Sequence, residues 1–162
     1  MLTCSCYHQF KLFSNDAIKD TFVQQLDVAK RRLKFGLFAW VIMPDHVHLI
    51  VLPDPPGLTV SMILSAIKRP FARRVLARWR QLDAEVLKRV VDSNGKPHFW
   101  QVGGGHDRNL VADGELTEKI DYVHQNPIRR ELTTYPWEWK WSSAAWYERK
   151  PYVGPEIDEH FL

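Results

Sequence analysis

Long hydrophobic runs are missing from this 162-residue chain. Its wholly apolar stretches are a few residues long, against the roughly 20 needed to cross a bilayer, so no membrane contact is expected. The N-terminus has neither the basic start nor the apolar run of a signal peptide. Cysteine is nearly absent: only Cys4 and Cys6 occur. At i and i+2 of a strand they point the same way but sit too far apart for an easy disulfide. A reducing, cytoplasmic setting is the expectation. A strong excess of one charge is also lacking, with 22 Lys+Arg against 19 Asp+Glu and a net charge of +3. At 45% hydrophobic and 25% charged residues, the composition excludes a disordered tail, a collagen and a disulfide scaffold. One domain is expected over residues 1–162, with a core of about 1–126 and a C-terminal tail over 127–162.

What is present is unevenly spread. Residues 1–67 carry 6 basic and 5 acidic side chains, residues 68–89 carry 8 and 2, and residues 90–162 carry 8 and 12. A positive middle and an acidic last third hide behind the small net charge. Hydrophobic period and turn residues predict a strand over 2–9 and a helix from Ser14 or Asn15 to about Lys34, ended by Gly36. Strands over 37–43 and 46–52 follow, joined by the Pro44-Asp45 turn. A helix begins near residue 58, with Pro70 kinking it or starting a second segment. The polar stretch 92–98 is a loop, Phe99–Val102 a last strand, and Gly103 to Gly105 a flexible joint. A helix over about 114–126 stops at Pro127. The order strand, helix, strand, strand, helix, strand is an α+β, ferredoxin-like βαββαβ plan, its first and third strands adjacent at the centre of an antiparallel sheet. An added helix and an aromatic-rich tail follow.

His46 and His48 flank Val47, so a strand points both imidazoles to one face and Val47, Leu49 and Val51 to the other. Two imidazoles on one face form most of a divalent-metal site with an open side. The alternative is a pair of sheet histidines satisfied by carbonyls or water. Burial in an Ile/Val/Leu-rich strand makes unpartnered rings costly. The Glu that a cupin places soon after the second His is absent, as is His-Glu-x-x-His, and the chain is too short for an amidohydrolase barrel.

On the 114–126 helix, Leu116, Ile120 and Val123 form one apolar stripe. Tyr122 and Asn126, four residues apart, stack on one flank of it, His124 falls on the other, and Gln125 points outward. If the helix covers the histidine face, Asn126 can complete a metal site that Tyr122 also reaches. The plainer alternative is a boundary tyrosine and a helix-ending asparagine.

These stretches together resemble a known family. Val41-Ile-Met-Pro-Asp-His46-Val-His48-Leu-Ile-Val51 is similar to the HUH motif of single-tyrosine transposases. Tyr122-Val-His-Gln-Asn126-Pro-Ile-Arg-Arg130 resembles their catalytic-tyrosine motif, and Phe99-Trp100-Gln101 with His106-Asp107-Arg108 resembles the segment before it. Trp139-Lys-Trp141-Ser-Ser143 is similar to the C-terminal signature of the REP-associated tyrosine transposase branch. The matches span about residues 35–145. The triglycine at 103–105, Arg130-Glu131-Leu132 and Pro70 depart from the pattern without removing a catalytic group. The resemblance implies a ferredoxin-like sheet and metal-dependent cleavage and rejoining of single-stranded DNA, often beside hairpins. It makes Tyr122 the nucleophile, His46 and His48 metal ligands, Asn126 the third ligand, and Mg²⁺ or Mn²⁺ the cofactor. Relatives include monomers and dimers, so a homodimer is a possible partner arrangement. A non-transposing single-stranded DNA-binding host protein with weak or lost cleavage activity, and a metal-dependent hydrolase using water, are the rival classes.

Between 68 and 80, Phe71, Val75 and Trp79 share one helix face while Lys68, Arg69, Arg73, Arg74, Arg78 and Arg80 take the rest. That cationic arc suits a phosphate backbone, with a plain solvated surface as the alternative. Arg129 and Arg130, just past the Tyr122 helix, suit a clamp on the cleaved strand. Trp137, Trp139 and Trp141 share a face if extended; they cap the core, or one stacks on an unpaired base. Cys4, Cys6 and His8 share a strand face, where a second metal is a lesser alternative.

Overall fold

In the computed structural model, β1 (Leu2–Ser5) lies between β3 (His46–Leu52) and β4 (His106–Asp107), and β2 (Gly36–Ile42) pairs with the other side of β3. The order β2-β3-β1-β4, antiparallel throughout, is the ferredoxin-like arrangement the sequence predicts. The structure describes residues 1–103 and 115–159, together with the backbone of 106–107. Three strands carry most of the sheet, since β4 pairs through only two residues. Gly104, Gly105, the side chains of His106 and Asp107, Arg108, residue 114 and His160 lie outside the described residues.

Alternation along the strands gives the sheet two apolar faces. Leu37, Trp40, Ile42, Val47 and Leu49 enter one core. Ala39, Val41, Met43 and Ile50 enter another, with Phe38 accommodated by a register shift between Leu37 and Ala39. The first core is roofed by α1 (Asp16–Leu33) and α2 (Val60–Gln81), through Phe22, Leu26, Ile63, Ile67 and Phe71. The second is covered by α4 (Glu115–Arg129), through Ile120 and Val123.

Local chemistry sets the helix ends. Asn15 caps α1 by accepting from Ala17 N–H at 2.8 Å. The left-handed C-cap is Lys34 (φ 54°), not Gly36, which opens β2. α2 runs through Pro70. A proline lacks the N–H that would satisfy the carbonyl four residues back, and Gln25 of α1 fills that place by donating to Ala66 O at 3.0 Å. α4 likewise runs through Pro127. Asn126 Nδ2 donates to Tyr122 O at 2.7 Å and to Val123 O at 3.4 Å, the latter being the carbonyl Pro127 leaves without its backbone donor. Beyond α4, Glu131 adopts φ 56° and Leu132 N–H donates back to Pro127 O at 2.9 Å.

Two further expectations are corrected. β1 ends at Ser5, and Tyr7–Gln9 forms a 3-10 turn. Phe99–Val102 is not a strand: Trp100 makes one isolated bridge to Cys6. A strand would send neighbouring rings to opposite faces, but Phe99 and Trp100 are both buried in the aromatic cluster around Phe13 and Phe71. The C-terminal tail forms an edge strip. Ile42 N–H donates to Trp141 O, Ser143 N–H to Trp40 O and Asp158 N–H to Leu37 O, at 2.9, 2.9 and 3.0 Å, which covers the outer side of β2. Two short helices, α3 (Val86–Arg89) and α5 (Ala144–Tyr147), and a 3-10 turn at Pro136–Glu138 complete the chain. Among the described residues no helix is long and apolar enough to cross a membrane.

Candidate metal and tyrosine site

β3 carries His46 and His48 on the face that α4 covers, while Val47 and Leu49 turn into the α1/α2 core. The Nε2 atoms of the two rings are 3.1 Å apart. Asp45 Oδ1 lies 2.6 Å from His46 Nδ1, and Thr3 Oγ1, across the β1–β3 ladder, lies 2.9 Å from His48 Nδ1. A carboxylate only accepts, so Asp45 selects the Nδ1–H tautomer of a neutral His46 and leaves its Nε2 lone pair facing His48. Burial pushes the His48 pKa down to about 4, helped by His46 and opposed by Asp45, so His48 is neutral at pH 7 with a ligand lone pair available. Two ligands at about 2.1 Å and at right angles around one ion would be about 3.0 Å apart. The convergent imidazoles therefore fit a divalent cation.

Among the described residues no group of three His, Cys, Asp or Glu side chains could hold an ion. A third protein ligand would have to be of another type. Asn126 is buried and lines the same cleft. Its amide nitrogen is engaged with helix carbonyls, leaving the oxygen as its hard, cation-compatible atom. Tyr122 is half-buried, its ring 5.8 Å from that of His48 and steeply inclined at 71°. The Arg129 guanidinium stands 4.9 Å from the Tyr122 ring centre. Arg130 Nη2 is 4.0 Å from Asp45 Oδ2. Together with Ser5 and Gln9, these residues line an open cleft of about 400 Å³.

The structure thus brings His46, His48, Tyr122, Asn126, Arg129 and Arg130 into one cleft. It does not bring the α2 cations there. Arg69, Arg73, Arg74 and Arg78 are exposed on α2, which packs on the opposite face of the sheet, and Lys68 Nζ lies over Trp100 at 5.5 Å. Cys4 and Cys6 are free, buried thiols whose pKa values are raised by burial, which disfavours the thiolate a metal would need. Asp45 and Thr3 escape sequence reasoning. Asp45 was legible as a neighbour of His46; the Thr3 contact depends on the β1–β3 register.

A ferredoxin-like sheet with an imidazole pair on one face, covered by a helix presenting a tyrosine, is the architecture observed. The sequence profile of the family described as "Transposase IS200 like" matches residues 2–104, and the chain belongs to that family. The match includes the histidine strand and ends before Tyr122. A Haemophilus influenzae protein (strain ATCC 51907 / DSM 11121 / KW20 / Rd) named as a REP-associated tyrosine transposase is 24% identical over 110 residues. That stretch is 67% of this chain and spans only 58% of the length of the relative. The solved structure of a REP-associated tyrosine transposase bound to a REP hairpin superposes with a TM-score of 0.67 at 16% identity, covering 99% of this chain and 87% of that one. A Deinococcus radiodurans R1 crystal structure described as a transposase matches with a TM-score of 0.50 at 20% identity, covering 77% and 86% of the two chains. At these identities the structural matches support the fold.

Proposed function

We propose that this chain is a metal-dependent single-stranded DNA transposase and endonuclease, acting beside hairpin elements of the REP type. Cleavage and rejoining proceed through a 5′-phosphotyrosine on Tyr122. The observation that carries the reading is the meeting of a half-buried phenol with two convergent imidazole nitrogens in one cationic cleft.

His46, His48 and Asn126 would hold Mg²⁺ or Mn²⁺. Once bound, the ion supplies Lewis acidity toward a non-bridging oxygen of the scissile phosphate. Asp45 and Thr3 hold the two imidazoles in place. A phenol is a weak nucleophile while protonated, and the Arg129 cation over the Tyr122 ring favours the charge that develops as its proton leaves. The Tyr122 oxygen attacks phosphorus in line. A phosphorus–oxygen bond forms to the tyrosine, the bond to the 3′ oxygen breaks, and that oxygen leaves as a 3′-OH. Attack by a second 3′-OH reverses the step and joins strands, so no nucleotide cofactor is needed.

Arg129 and Arg130 grip the strand at the cleft, whereas the α2 cations, with the sheet between, add to the field that draws DNA in. The test is incubation with end-labelled single-stranded hairpin DNA and Mn²⁺ or Mg²⁺. A denaturation-resistant protein–DNA band, lost in Tyr122→Phe, supports the reading. Cleavage without such a band makes the chain a water-using hydrolase. Binding without cleavage makes it a DNA-binding host protein.

A further inference from the structure

We propose that the stacked pair Tyr135–Trp137 is a nucleobase platform. The outer face of Tyr135 takes one unpaired base of a single strand leaving the cleft at the C-terminal end of α4. This rests on the single-stranded DNA reading above and adds a binding position to it.

The two rings are nearly parallel, 10° apart with centroids at 4.7 Å, and Lys150 Nζ stands 5.9 Å from the Trp137 ring centre. Tyr135 is 50% exposed although one of its faces is covered by Trp137. Its backbone is held in place: Glu138 Oε2 accepts from Thr134 N–H at 3.1 Å and from Tyr135 N–H at 3.0 Å, and Pro136 fixes the residue between the rings. An exposed aromatic ring already held flat loses little conformational freedom when a base stacks on it.

The position fits a strand that continues from the cleft. Trp139, two residues after Trp137, donates its indole N–H to Ile42 O at 2.9 Å. Ile42 pairs with Val47, the neighbour of His46, so Trp139, two residues past the stack, is anchored at the end of the sheet where the histidine site lies. On the other side it follows Arg129 and Arg130, which line the cleft, by a few residues. A phosphate backbone crossing those guanidiniums would meet an exposed aromatic face next. Trp139 and Trp141 are otherwise engaged: their indole N–H groups bond Ile42 O and Asp20, and Lys19 stands 4.0 Å over Trp141.

The experiment compares the full chain's affinity for two probes, a DNA hairpin with single-stranded thymidine flanks and the same hairpin with blunt ends. Wild type should bind the flanked probe more tightly. Tyr135→Leu should lose about tenfold toward the flanked probe and nothing toward the blunt one. Tyr135→Phe should keep wild-type affinity, because stacking needs the ring and not the hydroxyl. Undiminished binding of the flanked probe by Tyr135→Leu overturns the platform, as does an equal loss on both probes. A loss in Tyr135→Phe as large as in Tyr135→Leu overturns it too, by pointing to a hydroxyl contact. If wild type binds neither probe, the single-strand reading fails and the platform with it.

Discussion

The rings of Tyr122 and His48 meet at 71° with their centres 5.8 Å apart, the one on α4 and the other on β3. Helix and sheet thus join through two groups whose chemistry is complementary. Removing only the hydroxyl leaves that packing in place. Tyr122→Phe should therefore keep its thermal stability and its affinity for hairpin DNA while forming no covalent adduct. Gel shift and denaturing electrophoresis on the same samples check both halves.

Asp45 and His46 make the next prediction. The 2.6 Å contact fixes which imidazole nitrogen faces His48. Asp45→Ala should raise the Mn²⁺ concentration needed for half-maximal cleavage by about 10- to 100-fold, whereas His46→Ala or His48→Ala should lose cleavage at every concentration tested. Metal titrations of the cleavage rate separate the two behaviours.

Stability should fall in mild acid. Burial pushes the His124 pKa down to about 4, and its Nε2 contacts Ser143 Oγ at 2.8 Å. The folded value lies below the unfolded value of about 6.5, so the unfolded chain takes up the proton first. The stability is complete above about pH 6.5 and is lost as pH falls toward 4, with a limiting slope near 1.4 kcal/mol per pH unit for one such group. His48 shifts the same way. Urea midpoints should decline from pH 7 to pH 5, and less steeply in His124→Gln. A flat profile would contradict buried, neutral histidines.

Glu131 occupies a left-handed position (φ 56°) just past α4, where glycine is the residue without a steric penalty and where a negative charge opposes the helix dipole. Glu131→Gly should stabilise the fold by about 1 kcal/mol, a rise of about 2–4 °C in Tm for a chain of this size. Calorimetry at neutral pH reads it directly.

The cations of α2 and those of the cleft should behave differently. Replacing Arg69, Arg73, Arg74 and Arg78 with Gln should slow association with DNA by about tenfold at low salt and flatten the salt dependence, with single-turnover cleavage of bound DNA unchanged. Replacing Arg129 and Arg130 should reduce cleavage of bound DNA as well. Stopped-flow association and single-turnover rates distinguish the two sets.

The β2–β3 hairpin and the shared face of His46 and His48 were legible because period-2 alternation and the Pro44-Asp45 turn are local signals. The stacking of Tyr122 and Asn126 was legible for the same reason, through helical spacing. Pro127 does not end its helix, and α2 continues past Pro70, because side chains supply the compensation. Gln25 is distant in sequence from Pro70, and Asn126 satisfies carbonyls of its own helix. Phe99 and Trp100 read as a strand by composition, yet an aromatic core claimed both rings at once. The tail's cover on β2 and the Thr3–His48 contact depend on long-range register, which local pattern does not encode.

Mapping the covalent adduct tests the central claim most directly. After reaction with single-stranded hairpin DNA and Mn²⁺, nuclease and protease digestion and mass spectrometry should find a nucleotide joined through its 5′-phosphate to the peptide containing Tyr122, on the phenolic oxygen. An adduct on any other side chain, or cleaved DNA with no protein-linked nucleotide, would contradict the account.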